Sequence, residues 1–243
     1  CAVTALKGEI VDPREFLGGG NRYIATPEKY ITDDLAIIPP ADDPSSVVIR
    51  RGPNIKPIPK KDPIENDLSG DVLIKLKDNI STDHILPAGT VTLALRSNIP
   101  AISEYVFSYI DPEFLSRAKK AGKGFIIAGH NYGQGSSREH AALCPSYLGI
   151  QVVLAKSFAR IHKDNLINYG VLPITFTDEF NYDELGIGNK LDINNIAQSL
   201  KTNERQINVI NTTNGQKIRC DLDVTDRQRK ILLAGGLINQ VGV

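Results

Sequence analysis

Between residues 132 and 141 the chain reads YGQGSSREHA, with two adjacent serines and an arginine directly after two glycines. Gly133 and Gly135 let the backbone turn sharply and approach a ligand closely. The spacing predicts a helix from Ser136, whose first amide N–H groups would have no intrahelical partner. With the helix dipole such groups form an anion site. Arg138 adds a planar cation that can grip a carboxylate or phosphate through two hydrogen bonds. A cation in the first helical turn opposes the dipole and is better explained when an anion sits there. A plainer reading stands beside this one. Ser136 and Glu139 have the spacing of a capping box, in which Ser136 only caps the helix. Three familiar motifs are excluded. GQGSSR has Arg138 in place of the third glycine of the dinucleotide fingerprint, and no Gly-Lys-Ser/Thr makes a Walker loop. No glycine stands two residues after either serine, so this is not a nucleophile elbow.

A second polar stretch is DNISTDHILPAG, residues 78–89. Asn79, Ser81, Thr82 and Asp83 fit ordinary turn chemistry. Asp83 and His84 alternatively form an acid/base or orienting pair. Arg96, after TVTLAL, either binds an anion at a strand end or is a solvated surface charge. His162 and Arg160 fall in an amphipathic helix as packing or surface residues. His130 and His140 flank the glycine loop. The four histidines lack HxxxH or HxH spacing, which argues against a metal site in this chain. Cys144 and Cys220 read as core residues.

These residues need elements to hold them. Residues 12–15, DPRE, predict a helix start with Pro13 at its first position, broken by Gly18-Gly19-Gly20. TPEKYI (26–31) is a short helix candidate. A Pro- and charge-rich stretch from 39 to 70 reads as an extended linker, with Arg50, Arg51, Lys60 and Lys61 as solvated charge. Strands are expected at 71–76, 90–95, 124–129, 151–157 and 171–176. Helices are expected at 101–110, at 111–122 with Pro112 at its start and Gly122 as its stop, and at 158–170, closed by Gly170. Another runs through REHAALCPSYLG until Pro145 kinks or ends it. The strand–helix alternation implies parallel strands with helices packed across them. The tail adds strands at 205–211 and 216–224 around Asn214-Gly215, a hairpin signal. A last helix is capped by Thr225 and Asp226 and stopped by Gly235-Gly236.

The composition is that of a globular protein: 41% hydrophobic, 23% charged, with 28 basic and 28 acidic side chains. The balanced charge gives no support to nucleic acid or an anionic membrane as partner. No apolar run is long enough to span a bilayer. Three scattered cysteines make no disulfide framework and suggest a reducing compartment, the cytoplasm. The absence of Met, even at position 1, reads as a piece of something longer.

YGQGSSREHAAL, NISTDHILPAG, LRSNIPAISEYVF, AKSFARIHKDNLINYG and ILLAGGLINQV together resemble the C-terminal swivel domain of bacterial-type aconitases. RGPNIKPIP and AVTALKGEIVDPRE are similar to that family's linker and the end of its core, so the likeness covers essentially the whole chain. It implies an α/β chain: a three-layer β/β/α swivelling domain with a parallel-rich sheet over 71–243, a linker over 41–70 and a core remnant over 1–40. It implies isomerisation of citrate and isocitrate through cis-aconitate. Ser136 would be the base, as an alkoxide. Ser137, Arg138 and Arg96 would bind substrate carboxylate, and Thr82, Asp83 and His84 would line the site, Asp83 in a supporting role. Leu86 stands where many aconitases have a serine. The family's [4Fe–4S] cluster is held by upstream cysteines that Cys1, Cys144 and Cys220 do not match. No metal ligand is therefore expected here, the partner is the core in the same polypeptide, and the piece alone should be inactive. GSSRE also occurs in isomerases for isopropylmalate and homoaconitate, and some aconitase relatives bind RNA. Those are the rival readings.

Overall fold

The computed structural model describes residues 1–16, 18 and 25–242. The chain divides into two compact units, Cys1–Ile49 and Arg50–Val243. In the first, α1 (Ala2–Lys7) ends at Gly8, whose φ of 74° admits the left-handed cap. α2 (Pro13–Phe16) opens on Pro13, as the sequence predicts. Gly18 makes a turn, while Gly19 and Gly20 of the expected break lie outside the described residues. The helix expected over 26–31 does not form. Six residues with Tyr30 and Ile31 exposed have no packing to offset helix nucleation. No described residue before Arg50 is buried.

The second unit is built on seven strands: β1 (Leu68–Leu76), β2 (Gly124–Ala128), β3 (Ile150–Ala155), β4 (Leu172–Phe176), β5 (Lys190–Ile193), β6 (Gln206–Asn211) and β7 (Gln216–Asp221). They close in the order β1-β2-β3-β4-β7-β6-β5. β1 to β4 pair in parallel, and the other pairings are antiparallel. GFIIA and IQVVLA are buried at every position, as parallel strands covered on both faces require. β6 and β7 instead alternate buried and exposed residues.

Alternation divides the apolar side chains into two cores. One draws on all seven strands, including Val72, Phe125, Val152, Ile174, Leu191, Val209 and Ile218. The other takes the opposite faces of the parallel strands, with Ile74, Ile126 and Val153. Helices cover that second face: α3 (Thr82–Ile85), α4 (Thr90–Ala94), α5 (Ile99–Ile102), α6 (Phe114–Ala121), α7 (His140–Tyr147) and α8 (Arg160–Asn168). Beyond β4 lie α9 (Asn181–Glu184), α10 (Ile196–Lys201), α11 (Asp226–Leu233) and α12 (Leu237–Gln240). Thr225 caps α11 in a capping box with Gln228, as expected.

Four expectations are corrected. TVTLAL is helix α4, not a strand. Thr92 Oγ1 accepts from Gly89 N at 2.9 Å and donates to Pro87 O at 2.8 Å, which winds the turn locally. The helix expected over 101–110 stops after α5 and a 3₁₀ turn at Ser103–Tyr105. Buried Phe107 takes a φ of 56°, which no helix continues, and packs edge-on against Phe114. The helix expected from Ser136 starts at His140, so Ser136 is not its cap. Lys61 is not solvated linker charge, because its ammonium donates to Ile150 O at 3.1 Å and Gly170 O at 2.9 Å. β5 and α10, short elements between turns, carry no sequence signal of comparable strength.

Gly149, the residue before β3, has a φ of 91°, and a Cβ there would stand 1.9 Å from the carbonyl oxygen of Gly122. Backbone strain and a backbone clash add. Gly149→Ala should destabilise the second unit by about 2–4 kcal/mol, read as a lowered midpoint in urea unfolding.

Candidate active site

Three loops leave the C-terminal ends of β1, β2 and β3 and lace together. At the end of β2, Gly129 lies so close to residues 77–78 that a Cβ would meet Asp78 Oδ1 at 2.0 Å. Asp78 Oδ1 accepts from His130 N at 2.7 Å, and His130 O accepts from Asn79 N at 2.7 Å. Asn131 donates its amide to Asn79 Oδ1 (3.0 Å) and Gln134 Oε1 (3.1 Å). Tyr132 N donates to Ser157 O at 3.0 Å, and Ala159 N returns to Tyr132 O at 2.9 Å. Gly133 N and Gln134 N both donate to Ile80 O. Crevices outside the carboxyl ends of parallel strands are where open α/β sheets bind ligands.

This lacing sets Ser136 beside α3. Ser136 Oγ accepts from Arg138 Nε at 3.0 Å and lies 3.3 Å from Thr82 Oγ1. Thr82 is buried, and Thr82 N donates to Gln134 O at 2.9 Å. Ser136 itself is exposed. Arg138 spreads its guanidinium over three acceptors: Ser136 Oγ, Leu86 O at 3.2 Å through Nη1, and Asp83 Oδ1 at 2.6 Å through Nη2. A guanidinium N–H donating to the hydroxyl oxygen favours its anionic form, and the Thr82 hydroxyl beside it can stand as either donor or acceptor. The donor at the serine oxygen is thus a side chain, where the sequence suggested amides at a helix start.

The other expected residues stand differently. Ser137 is exposed and forms no hydrogen bond among the described residues. His84 is engaged in the cap of α3, where its Nδ1 accepts from Ser81 N and its own N–H donates to Ser81 Oγ, both at 3.1 Å. The Arg96 side chain is exposed and makes no bond among the described residues. Its carbonyl accepts from His140 Nε2 at 2.8 Å, which ties the Arg96 loop to the head of α7. Sequence reasoning missed this link and the Leu86 carbonyl. A backbone acceptor has no residue signature, and His140 was noted only for flanking the glycine loop.

His162 is a packing residue, as expected, and lies beneath the loop. A Cβ on Gly133, whose φ is 83°, would strike its ring at 2.1 Å, so only glycine fits over it. Neither ring nitrogen has a partner among the described residues. Burial alone pushes its pKa down to about 4, so the ring is neutral. Cys144 and Cys220 are buried, and burial pushes both thiols up to about 12. Neither suits thiolate ligation of a metal. Among the described residues no three His, Cys, Asp or Glu side chains group closely enough to hold a metal ion. No helix among them is long and apolar enough to cross a membrane.

The Ser136 hydroxyl oxygen thus lies against the Arg138 guanidinium at the C-terminal ends of parallel strands in a mixed α/β barrel. The family model for the aconitase C-terminal domain matches residues 111–179. The 3-isopropylmalate dehydratase small subunit 2 of Archaeoglobus fulgidus is 39% identical over 167 residues, 69% of this chain and 90% of that protein. The mitochondrial homocitrate dehydratase of Saccharomyces cerevisiae is 33% identical over 229 residues, 82% of this chain but 29% of its own length. The mitochondrial aconitate hydratase of Gracilaria gracilis is 31% identical, with 84% of this chain and 30% of its own length covered. The solved structure of 3-isopropylmalate dehydratase from Methanocaldococcus jannaschii superposes with a TM-score of 0.59 at 31% identity. It covers 72% of this chain and 93% of that one. The chain belongs to the aconitase C-terminal domain family. It spans less than a third of the homocitrate dehydratase and aconitate hydratase just described.

The buried His162 makes the site acid-sensitive. Its folded pKa lies below the ordinary unfolded value of about 6.5. Its contribution is therefore fully present above pH 6.5 and lost as the pH falls toward 4. The loss should approach about 3 kcal/mol near pH 4. In His162→Leu, the fall in unfolding free energy between pH 6.5 and 4 should shrink by about that amount, as denaturant titrations at each pH would show.

Proposed function

We propose that this chain supplies the proton-transferring base and carboxylate clamps of a hydro-lyase that interconverts citrate and isocitrate through cis-aconitate. The observation that carries the reading is the convergence of Arg138 Nε and Thr82 Oγ1 on Ser136 Oγ. As an alkoxide, Ser136 takes the proton from the carbon beside a substrate carboxylate. The C–H electron pair becomes the new double bond as hydroxide departs from the neighbouring carbon. Rehydration runs the same steps backward. Arg138 and Arg96 bind substrate carboxylates, with Ser137 as a hydrogen-bonding neighbour. Asp83 holds Arg138 through Nη2 until a substrate carboxylate competes for that edge. Thr82 supports the serine oxygen, and His84 orders the turn that carries both.

The departing hydroxide needs an electrophile. The resemblance assigns it to a [4Fe–4S] cluster on a core partner, and the described residues offer none of its ligands. In this reading residues 1–40 end that core, 41–70 are linker and 71–243 are the swivel domain. The lack of burial before Arg50 supports the first assignment. A second reading, dehydration of 3-isopropylmalate or homocitrate, is favoured by the 90% coverage of a small-subunit relative and by the yeast enzyme.

Reconstitution of the chain with its cluster-bearing core, assayed on isocitrate, homoisocitrate and 3-isopropylmalate, separates the two. The highest kcat/KM is expected on isocitrate, and the chain alone should turn over nothing. Ser136→Ala should lower kcat by about 10²–10⁴-fold, the usual range for a lost general base. A variant that keeps half of wild-type kcat sinks the assignment. Arg138→Lys, which cannot form the two-pronged grip, should lower kcat/KM by about tenfold or more.

A further inference from the structure

At the opposite pole of the parallel strands lies a cavity of about 390 Å³. Residues 59–65, the starts of β2, β3 and β4, α7 and the 235–239 turn enclose it. Its polar floor is Lys61. The Lys61 backbone is pinned, since its carbonyl accepts from Asn239 Nδ2 at 2.6 Å and Asp62 O lies where a Cβ on Gly235 would stand, 2.2 Å away. Its ammonium spends two N–H groups on Ile150 O and Gly170 O, and an ammonium has three.

That cation has no counter-charge. Lys61 forms no ion pair with a carboxylate among the described residues. Of the two acidic residues on the rim, Glu65 is paired with Lys123 at 2.6 Å, and Asp62 forms no ion pair. Burial and the like charge of Lys123 hold the Lys61 pKa down to about 8. A partly buried charge of this kind is stabilised when an anion joins it. Beside it, Gln151 is buried with its Oε1 unpartnered. Ile64, Leu143 and Ile238 give the wall an apolar part, alongside the polar side chains of Ser146, Asn168 and Asn239.

We propose that this cavity binds a small organic monocarboxylate with an aliphatic body. The carboxylate meets the remaining N–H of Lys61, and the aliphatic body lies against Ile64, Leu143 and Ile238. One uncompensated cation calls for one negative charge, whereas the Ser136 end offers two arginines. The volume lies at the small end of ligand pockets, which suits a body of a few carbons. The proposal does not depend on the hydro-lyase reading.

The test is a titration of the isotopically labelled full chain, followed by amide NMR, with 4-methylpentanoate as probe. Its neutral twin 4-methylpentanamide is the control. Saturable shifts are expected at Gly149, Gly170 and Gly235, with roughly tenfold weaker binding for the amide. Lys61→Met should weaken the acid by about tenfold or more, and Ser136→Ala should leave it unchanged. If Lys61→Met does not fold, Ile238→Trp decides, since it fills the cavity and keeps the Lys61 bonds. Loss of the shifts supports the proposal. No saturable shift in the wild type, equal binding of acid and amide, or full binding in Ile238→Trp overturns it and leaves Lys61 a structural peg.

Discussion

A guanidinium aimed at a hydroxyl oxygen organises the Ser136 pole of the barrel. Arg138 reaches Ser136 Oγ, the Leu86 carbonyl and Asp83 at once, so a single planar group joins the glycine loop to the turn after β1. Thr82, buried on that turn, brings a second hydroxyl to within 3.3 Å of the same oxygen. Without the guanidinium, Ser136 would be an ordinary exposed hydroxyl, far too weakly acidic to deprotonate. With it, a negative form of the oxygen would have a positive charge already in place beside it.

The barrel exists, for this purpose, as the frame for that contact. β1 and β2 are parallel neighbours, so the loops that follow them leave on the same side. Gly129 and Gly133 let the second loop press against the first and against His162, where any side chain would collide. The amides of Asn79, Asn131 and Gln134 then stitch the loops so that few polar groups are left to roam. His140 extends the same frame to Arg96 through its carbonyl. Loops held by so many cross-strand bonds keep Ser136, Thr82 and Arg138 in register.

The two poles differ in how charge is balanced. At the Ser136 pole Arg138 has an internal carboxylate, Asp83. At the far pole Lys61 rests on carbonyl dipoles alone. A carbonyl pair satisfies hydrogen bonds but not a full charge, while burial and the like charge of Lys123 hold the Lys61 pKa down.

Much of this was legible along the chain. GFIIAG and QVVLAK are apolar runs that only a doubly covered strand explains, and their alternation with helices implied parallel pairing. Thr225 announced its own helix. Gly133, Ser136 and Arg138 stood out because the glycines allow a close backbone approach and a cation opposes the dipole of the helix expected from Ser136, a helix that in fact begins at His140. What the chain did not reveal came from contacts distant in sequence. TVTLAL has strand-like residues yet turns into helix, because no edge receives it and Thr92 closes on its own backbone. The helix after Ser136 starts four residues late, because Arg138 is drawn to Leu86 and Asp83, some fifty positions earlier. Lys61 looked like linker charge, and only the folded barrel presents the two carbonyls that capture it. Local sequence thus decided which segments become strands and where chemistry could reside. Tertiary structure decided which donors meet which oxygen, because hydrogen-bond partners are chosen by position in space and not by order along the chain.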